Sequence, residues 1–284
     1  MIVVTGASGQ LGRLVIDALL KTVPASEVVA AVRTPAKAAD LAARGVQVRH
    51  ADYTQPATLE AAFKGADKLL LISSSEVGQR AAQHRAVIEA TQRAGVKLVA
   101  YTSILHADTS RLGLAAEHQA TEALLRASGL PFVLLRNGWY TENYAGSIPA
   151  ALAHGVVLGS AGAGRIASAA RADYAAAAAA VLTQADQDGR VYELAGDSSY
   201  TLAEFAAEIA RQSGKAVVYQ DLPEAGYKAA LLGVGLPEGL AAMLADSDVG
   251  ASKGGLFDDS HQLSQLIGRP TTPLAVSVSA ALAA

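Results

Sequence analysis

The stretch Thr5-Gly6-Ala7-Ser8-Gly9-Gln10-Leu11-Gly12 stands between a short apolar run, Ile2–Thr5, and a segment of helical period, Leu11–Leu20. In that segment Leu11, Leu14, Val15, Ala18 and Leu19 mark one face, which predicts an amphipathic helix directly after a buried strand. At such a junction Gly6 permits a tight turn, Gly9 lets a pyrophosphate approach the backbone, and Gly12 lets helix and strand pack closely. The helix start adds free N–H groups and the positive end of the helix dipole. A bare glycine pattern also fits a tight turn without a ligand. Strand, glycines and helix in this order favour a dinucleotide site.

Outward from this motif, further apolar runs recur at Val28–Val32, Val46–Arg49, Leu69–Ile72, Leu98–Thr102 and Phe132–Leu135, with helical segments between them. This alternation reads as repeated βαβ units, and strands apolar on both faces need helices over both. The expected fold is α/β: a doubly wound parallel Rossmann sheet over residues 1–136, with a smaller C-terminal α/β domain over 137–284. The second half has Gly-rich connections, an alanine-rich helix through Ala175–Ala180, and a short strand, Val191–Ala195, expected to return to the main sheet. Alanine is the best helix former, so close packing is the plain reading of that run.

The end of the second strand bears on which nucleotide is bound. Asp or Glu there usually meets the ribose 2′-hydroxyl of NAD, whereas Arg33-Thr34-Pro35-Ala36-Lys37 offers two cations. A guanidinium at Arg33 and an ammonium at Lys37 suit a 2′-phosphate, so charge favours NADPH over NADH, against a solvated surface arginine. Asp52, after the third strand, reads either as acceptor for the adenine amino group or as a turn cap. Ser73-Ser74-Ser75, after the fourth, either bond the cofactor or only end the strand.

The 284 residues include 51% hydrophobic and 17% charged side chains, enough for one large domain or two with their own cores. The net charge of −3 and scattered Lys/Arg argue against a nucleic-acid partner. There is no cysteine, so disulfides and thiolate chemistry are excluded. The histidines show no ligand spacing, and no metal is expected. Neither a signal peptide nor a span of about 20 apolar residues is visible, so a soluble cytoplasmic protein is expected.

Thr5–Gly12 with Arg33, Leu69–Ser75, Tyr101-Thr102-Ser103, Arg136-Asn137-Gly138-Trp139-Tyr140 and Arg171-Ala172-Asp173-Tyr174 together resemble the NmrA-like, atypical short-chain dehydrogenase/reductase family. The likeness runs through nearly the whole chain, including Leu114–Glu122, Ala195–Asp197 and Ala245–Asp259. It implies NADPH between a Rossmann domain and a small C-terminal domain, with a small quinone as substrate above the nicotinamide. By that resemblance Asn137, Gly138 and Tyr174 join Gly6, Ala7, Ser8, Gly9, Gln10, Leu11, Gly12, Arg33, Lys37 and Ser73–Ser75 around the cofactor. Trp139, Tyr140, Asn143 and Tyr144 would line the substrate pocket; otherwise these aromatics are core. Arg171 and Asp173 read as a helix start, by ion pair or N-cap.

One departure shapes the chemistry. Short-chain dehydrogenases rely on Tyr-x-x-x-Lys as a proton relay, and no tyrosine here has lysine four residues on. By the family's spacing that place falls near His118-Gln119-Ala120-Thr121-Glu122. A quinone needs little acid help, because hydride addition leaves a delocalised anion that water protonates. Orientation and a few donors then suffice. Asn143, Tyr140 and Thr102 are the candidate donors. His118 reads as an acid or, more commonly, as a satisfied histidine. The competing expectation is an NADP(H)-sensing regulatory binding protein of NmrA type.

Overall fold

The computed structural model describes residues 1–283. The described residues form nine strands: β1 (Ile2–Thr5), β2 (Val28–Val32), β3 (Gln47–His50), β4 (Lys68–Leu71), β5 (Leu98–Ile104), β6 (Phe132–Asn137), β7 (Val156–Gly159), β8 (Val191–Leu194) and β9 (Val218–Asp221). The helices are α1 (Gln10–Leu19), α2 (Ala39–Ala43), α3 (Pro56–Phe63), α4 (Arg80–Ala94), α5 (Ala115–Ala127), α6 (Thr141–Ala145), α7 (Ile148–His154), α8 (Arg171–Thr183), α9 (Leu202–Ser213), α10 (Glu224–Gly233), α11 (Glu238–Ser252), α12 (Gln262–Ile267) and α13 (Leu274–Leu282).

Seven strands make one sheet in the order β3-β2-β1-β4-β5-β6-β8. The neighbours from β3 through β6 pair in parallel, as the doubly wound reading requires. Every residue of β2 and β5 is buried, which explains the unbroken apolar character of β2; in β5 the hydroxyls of Thr102 and Ser103 are paired instead. Chain order reverses between β1 and β4. In open α/β sheets, ligands bind beyond the strand C-termini at such a switch point.

The chain forms two compact units whose division is more interleaved than a single boundary at 136/137. The first comprises Met1–Ala107, Ala116–Asn137 and Ala172–Tyr192; the second comprises Asp108–Ala115, Gly138–Arg171 and Glu193–Ala284. Nearly all of the alanine-rich α8 therefore belongs to the first unit. It leads into β8, the edge strand beside β6, and its small side chains at Ala175, Ala177, Ala178 and Ala179 are buried. The second unit has a sheet of its own, β7 paired in parallel with β9, which the sequence reading did not anticipate. Within that unit α9 starts with a capping box: Thr201 accepts from the Glu204 N–H, and the Glu204 carboxylate accepts from the Thr201 N–H.

Among the described residues no helix is long and apolar enough to cross a membrane.

Candidate nucleotide site

The C-terminal ends of β1, β2 and β4 open onto a pocket of about 400 Å³ within the first unit. Its floor is the turn between β1 and α1. Gly6 has φ +59°, a left-handed conformation that side chains rarely adopt. A Cβ on Gly12 would lie 2.5 Å from the Gly6 carbonyl oxygen and 2.7 Å from Ala7 Cα, so only glycine lets α1 approach the turn this closely. Gly9 is the N-cap of α1 and has no side chain to cap the helix, whose first N–H groups have no intrahelical acceptors. Gly6, Ser8, Gly9, Gln10, Leu11 and Gly12 line the pocket. Ala7 instead turns into the core.

Arg33 at the end of β2 and Ser73, Ser74 and Ser75 after β4 also line the pocket. Arg33 is 69% exposed, and its Nη1 donates to Glu76 Oε1 at 2.8 Å. Lys37 does not reach the lining; it lies in the short helical turn Pro35–Ala38, where its carbonyl accepts from Arg13.

The loop after β4 is pinned by side chains from β1, β5, α4 and the turn after β3. Thr5 Oγ1 accepts the Ile72 N–H at 3.1 Å, and Tyr53 OH donates to the Ile72 carbonyl at 3.1 Å. Thr102 Oγ1 accepts the Ser73 N–H at 2.9 Å, and His84 Nε2 accepts the Ser74 N–H at 2.9 Å. Arg80 Nε donates to the Ser74 carbonyl at 2.7 Å. Thr102, taken from sequence as a donor to substrate, is therefore buried and acts on the loop, because β5 lies beside β4 and presents its hydroxyl to the next turn.

Asp52 lines the pocket as a turn cap. Oδ1 accepts from Thr54 N–H and Oγ1 at 2.9 and 2.7 Å, and Oδ2 accepts from Gln55 Nε2 at 3.2 Å. The Thr54 backbone N–H leads the effects that hold its pKa below the usual range. Ala51, Tyr53, Ile72, Glu76 and Gln83 complete the lining and were missed from sequence. A loop beyond the strand next to β1 was the available signal for Glu76; Gln83, inside a helix, left none.

The region near His118–Glu122, where the family's proton relay would fall, is sealed. Tyr101 OH meets His118 Nδ1 at 2.7 Å, and both groups are buried. Burial pushes the His118 pKa down to about 3, leaving it neutral at physiological pH. Glu122 accepts from Arg136 Nε and Nη2 at 3.0 and 2.9 Å, from Ser103 Oγ at 2.6 Å and from Arg126 Nη2 at 2.9 Å. Burial disfavours its charge, yet these donors outweigh that and lower its pKa. A buried structural network thus occupies the place of the missing relay, and His118 is a satisfied histidine.

At the end of β6, Asn137 Oδ1 is buried without a hydrogen-bond partner among the described residues, an acceptor that fits a ligand donor. Tyr174 is 1% exposed on α8 and is not among the residues lining this pocket.

In the second unit, the Gly138 N–H donates to the Leu194 carbonyl at 2.7 Å. Tyr140 stacks under Arg171, with the guanidinium carbon 4.6 Å from the ring centroid. Arg171 Nη2 also approaches Asn143 Oδ1 at 3.5 Å. The α8 start is capped by Glu142, whose two oxygens accept the Arg171 N–H at 2.9 and 3.0 Å. Trp139 is buried, its ring 6.2 Å from that of Tyr144. Tyr144 is 6% exposed and donates to Asp248 Oδ1 at 2.7 Å. Its buried phenol thus has a partner within this unit, as a buried tyrosine hydroxyl requires.

The pattern of an NAD(P)H-binding family matches residues 6–185, which contain the whole nucleotide pocket. Quinone oxidoreductase 2 of Escherichia coli K12 is 67% identical over 279 residues, covering 98% of each chain. An NmrA-like family domain-containing oxidoreductase of Aspergillus flavus is 31% identical over 232 residues, 75% of this chain and 72% of that one. The chain belongs to the NAD(P)H-binding, NmrA-like family. Among solved structures, the Escherichia coli NADPH-dependent quinone oxidoreductase complexed with NADPH superposes with a TM-score of 0.97 at 66% identity, covering 99% of this chain and all of that one.

Proposed function

We propose that this protein is an NADPH-dependent quinone reductase. The observation that carries the reading is the pocket itself: a glycine turn and uncapped helix start at one end, and the Arg33 guanidinium at the other. This spacing suits a dinucleotide whose pyrophosphate meets α1 and whose 2′-phosphate meets Arg33. The 67% identity to a protein named quinone oxidoreductase 2 supports the choice of acceptor. Bound NADPH supplies the hydride.

The chain's own residues bind and orient. The pinned Ser73–Ser75 loop holds the nucleotide side of the site, and the orphaned Asn137 Oδ1 offers an acceptor at the end of β6. No side chain has to donate a proton, since a reduced quinone leaves as a delocalised anion that water protonates. The sealing of His118 and Glu122 costs nothing in such a reaction. Tyr140 and Asn143, held by Arg171, are assigned to position the quinone.

The test is multiple turnover of NADPH with a benzoquinone, followed by loss of nicotinamide absorbance. Tyr140→Ala and Asn143→Ala are expected to raise KM for the quinone while leaving the NADPH Kd unchanged. Tight NADPH binding with no turnover across a broad quinone panel would exclude the reductase and leave a nucleotide-sensing protein.

A further inference from the structure

The guanidinium placed for a 2′-phosphate is already held by a carboxylate, and that carboxylate is held in turn. Arg33 Nη1 donates to Glu76 Oε1 at 2.8 Å, while Gln83 Nε2 donates to Glu76 Oε2 at 2.7 Å. The Glu76 N–H donates to Ser74 Oγ at 3.1 Å. Arg33, Glu76 and Gln83 all line the nucleotide pocket.

Most surface ion pairs are loose, because two long side chains must be ordered to make them. Glu76 is 45% exposed, but its second oxygen rests on a side chain of α4 that is only 6% exposed. An ionised carboxylate only accepts hydrogen bonds, so Gln83 must present its nitrogen to Glu76. Its own Oε1 is then left buried and without a partner. A buried amide with one end unsatisfied and the other on Glu76 fixes where that carboxylate stands. Asp52 is the other carboxylate of the pocket, and its oxygens are occupied by Thr54 and Gln55.

We propose that Glu76 is a specificity-determining residue: it competes with the 2′-phosphate for Arg33 and offers the ribose of an unphosphorylated nucleotide a hydrogen-bond acceptor. The Arg33–Glu76 pair, and not Arg33 alone, then sets the ratio of NADPH to NADH affinity. This rests on the reading of Arg33 as the 2′-phosphate ligand. A phosphate brought to Arg33 meets the repulsion of Glu76 or must displace it, whereas a ribose hydroxyl brings no charge and donates to the same oxygen.

Isothermal titration of the purified protein with NADPH and with NADH, at low ionic strength, tests this in wild type, Glu76→Gln, Arg33→Ala and the double variant. Glu76→Gln is expected to tighten NADPH by about fivefold, with NADH unchanged or weakened. The gain is expected to shrink in high salt and to vanish in the Arg33→Ala background. Both side chains are largely exposed, and thermal melting checks that each variant folds. An unchanged NADPH-to-NADH ratio in Glu76→Gln, or a loss of NADPH affinity, overturns the proposal while leaving Arg33 in place. NADPH affinity undiminished in Arg33→Ala overturns the phosphate-site reading and this inference with it.

Discussion

His84 Nε2 accepts the Ser74 amide N–H at 2.9 Å, so a fully buried imidazole carries one turn of the nucleotide loop. Its other nitrogen, Nδ1, lies 2.9 Å from Thr121 Oγ1, and that hydroxyl donates to the Glu117 carbonyl. The proton therefore sits on Nδ1, which leaves Nε2 free to accept. His84→Leu removes the acceptor and leaves the Ser74 N–H unsatisfied, at a cost of about 1–3 kcal/mol. Weaker NADPH binding by calorimetry is expected, with partial recovery in His84→Gln. Wild-type affinity in His84→Leu would show that the loop does not need this bond.

The same burial makes stability depend on pH. His84 and His118 are both pushed down to about 3 from an ordinary value of 6.5, chiefly by desolvation. Between these values the unfolded chain binds more protons than the folded one, so this stability is complete above 6.5 and is lost as the pH falls toward 3. Calorimetric melting should show Tm falling already between pH 6.5 and about 5, above the range where unfolded carboxylates titrate. The double variant His84→Leu, His118→Leu should have a flatter profile. Equal slopes would assign the acid sensitivity elsewhere.

Gly12→Ala places a Cβ against two backbone atoms that cannot step aside, the Gly6 oxygen and Ala7 Cα. Forcing α1 away from the turn should cost about 1–3 kcal/mol and weaken nucleotide binding with it. Gly239→Ala is the control. Nothing lies within 4 Å of that Cβ and the residue is helical, so up to about 1 kcal/mol of stabilisation is expected. Urea denaturation distinguishes the two; similar values for both would mean the contact at Gly12 yields easily.

Arg136→Met leaves Glu122 with Ser103 and Arg126 but without its buried bidentate partner. Only the half-exposed Arg126 is then left to pair with the buried carboxylate, and losing two hydrogen bonds to it should cost about 1–3 kcal/mol, read as a lower urea midpoint. The NADPH-to-NADH affinity ratio should not move, because this pair does not line the pocket. A shift in that ratio would tie the network to nucleotide recognition.

Local spacing was enough to read Gly6–Gly12, β1, α1 and the cation at Arg33, since a turn, a helix face and a strand each depend on residues within a few positions of one another. The second sheet escaped notice because β7 and β9 have four residues each, and β9, Val218-Tyr219-Gln220-Asp221, is mostly exposed and ends in polar residues, so it lacks the fully buried apolar run of β2. Thr102 and Tyr144 were legible as polar groups near strand ends, but not in their roles. Each role depends on a partner far along the chain: Ser73 is 29 positions from Thr102, and Asp248 is 104 from Tyr144.

By itself the sequence determined the parallel α/β fold, the glycine turn and the positive charge after β2, because backbone freedom, apolar periodicity and charge are written in neighbouring residues. Only the tertiary structure decided what meets that charge. The order β2-β1-β4 brings Arg33 and Glu76, 43 positions apart, across the same pocket, and packing α4 beneath it adds Gln83. Contacts of that kind arise from the arrangement of strands and the need to satisfy buried polar atoms, and no local pattern encodes them.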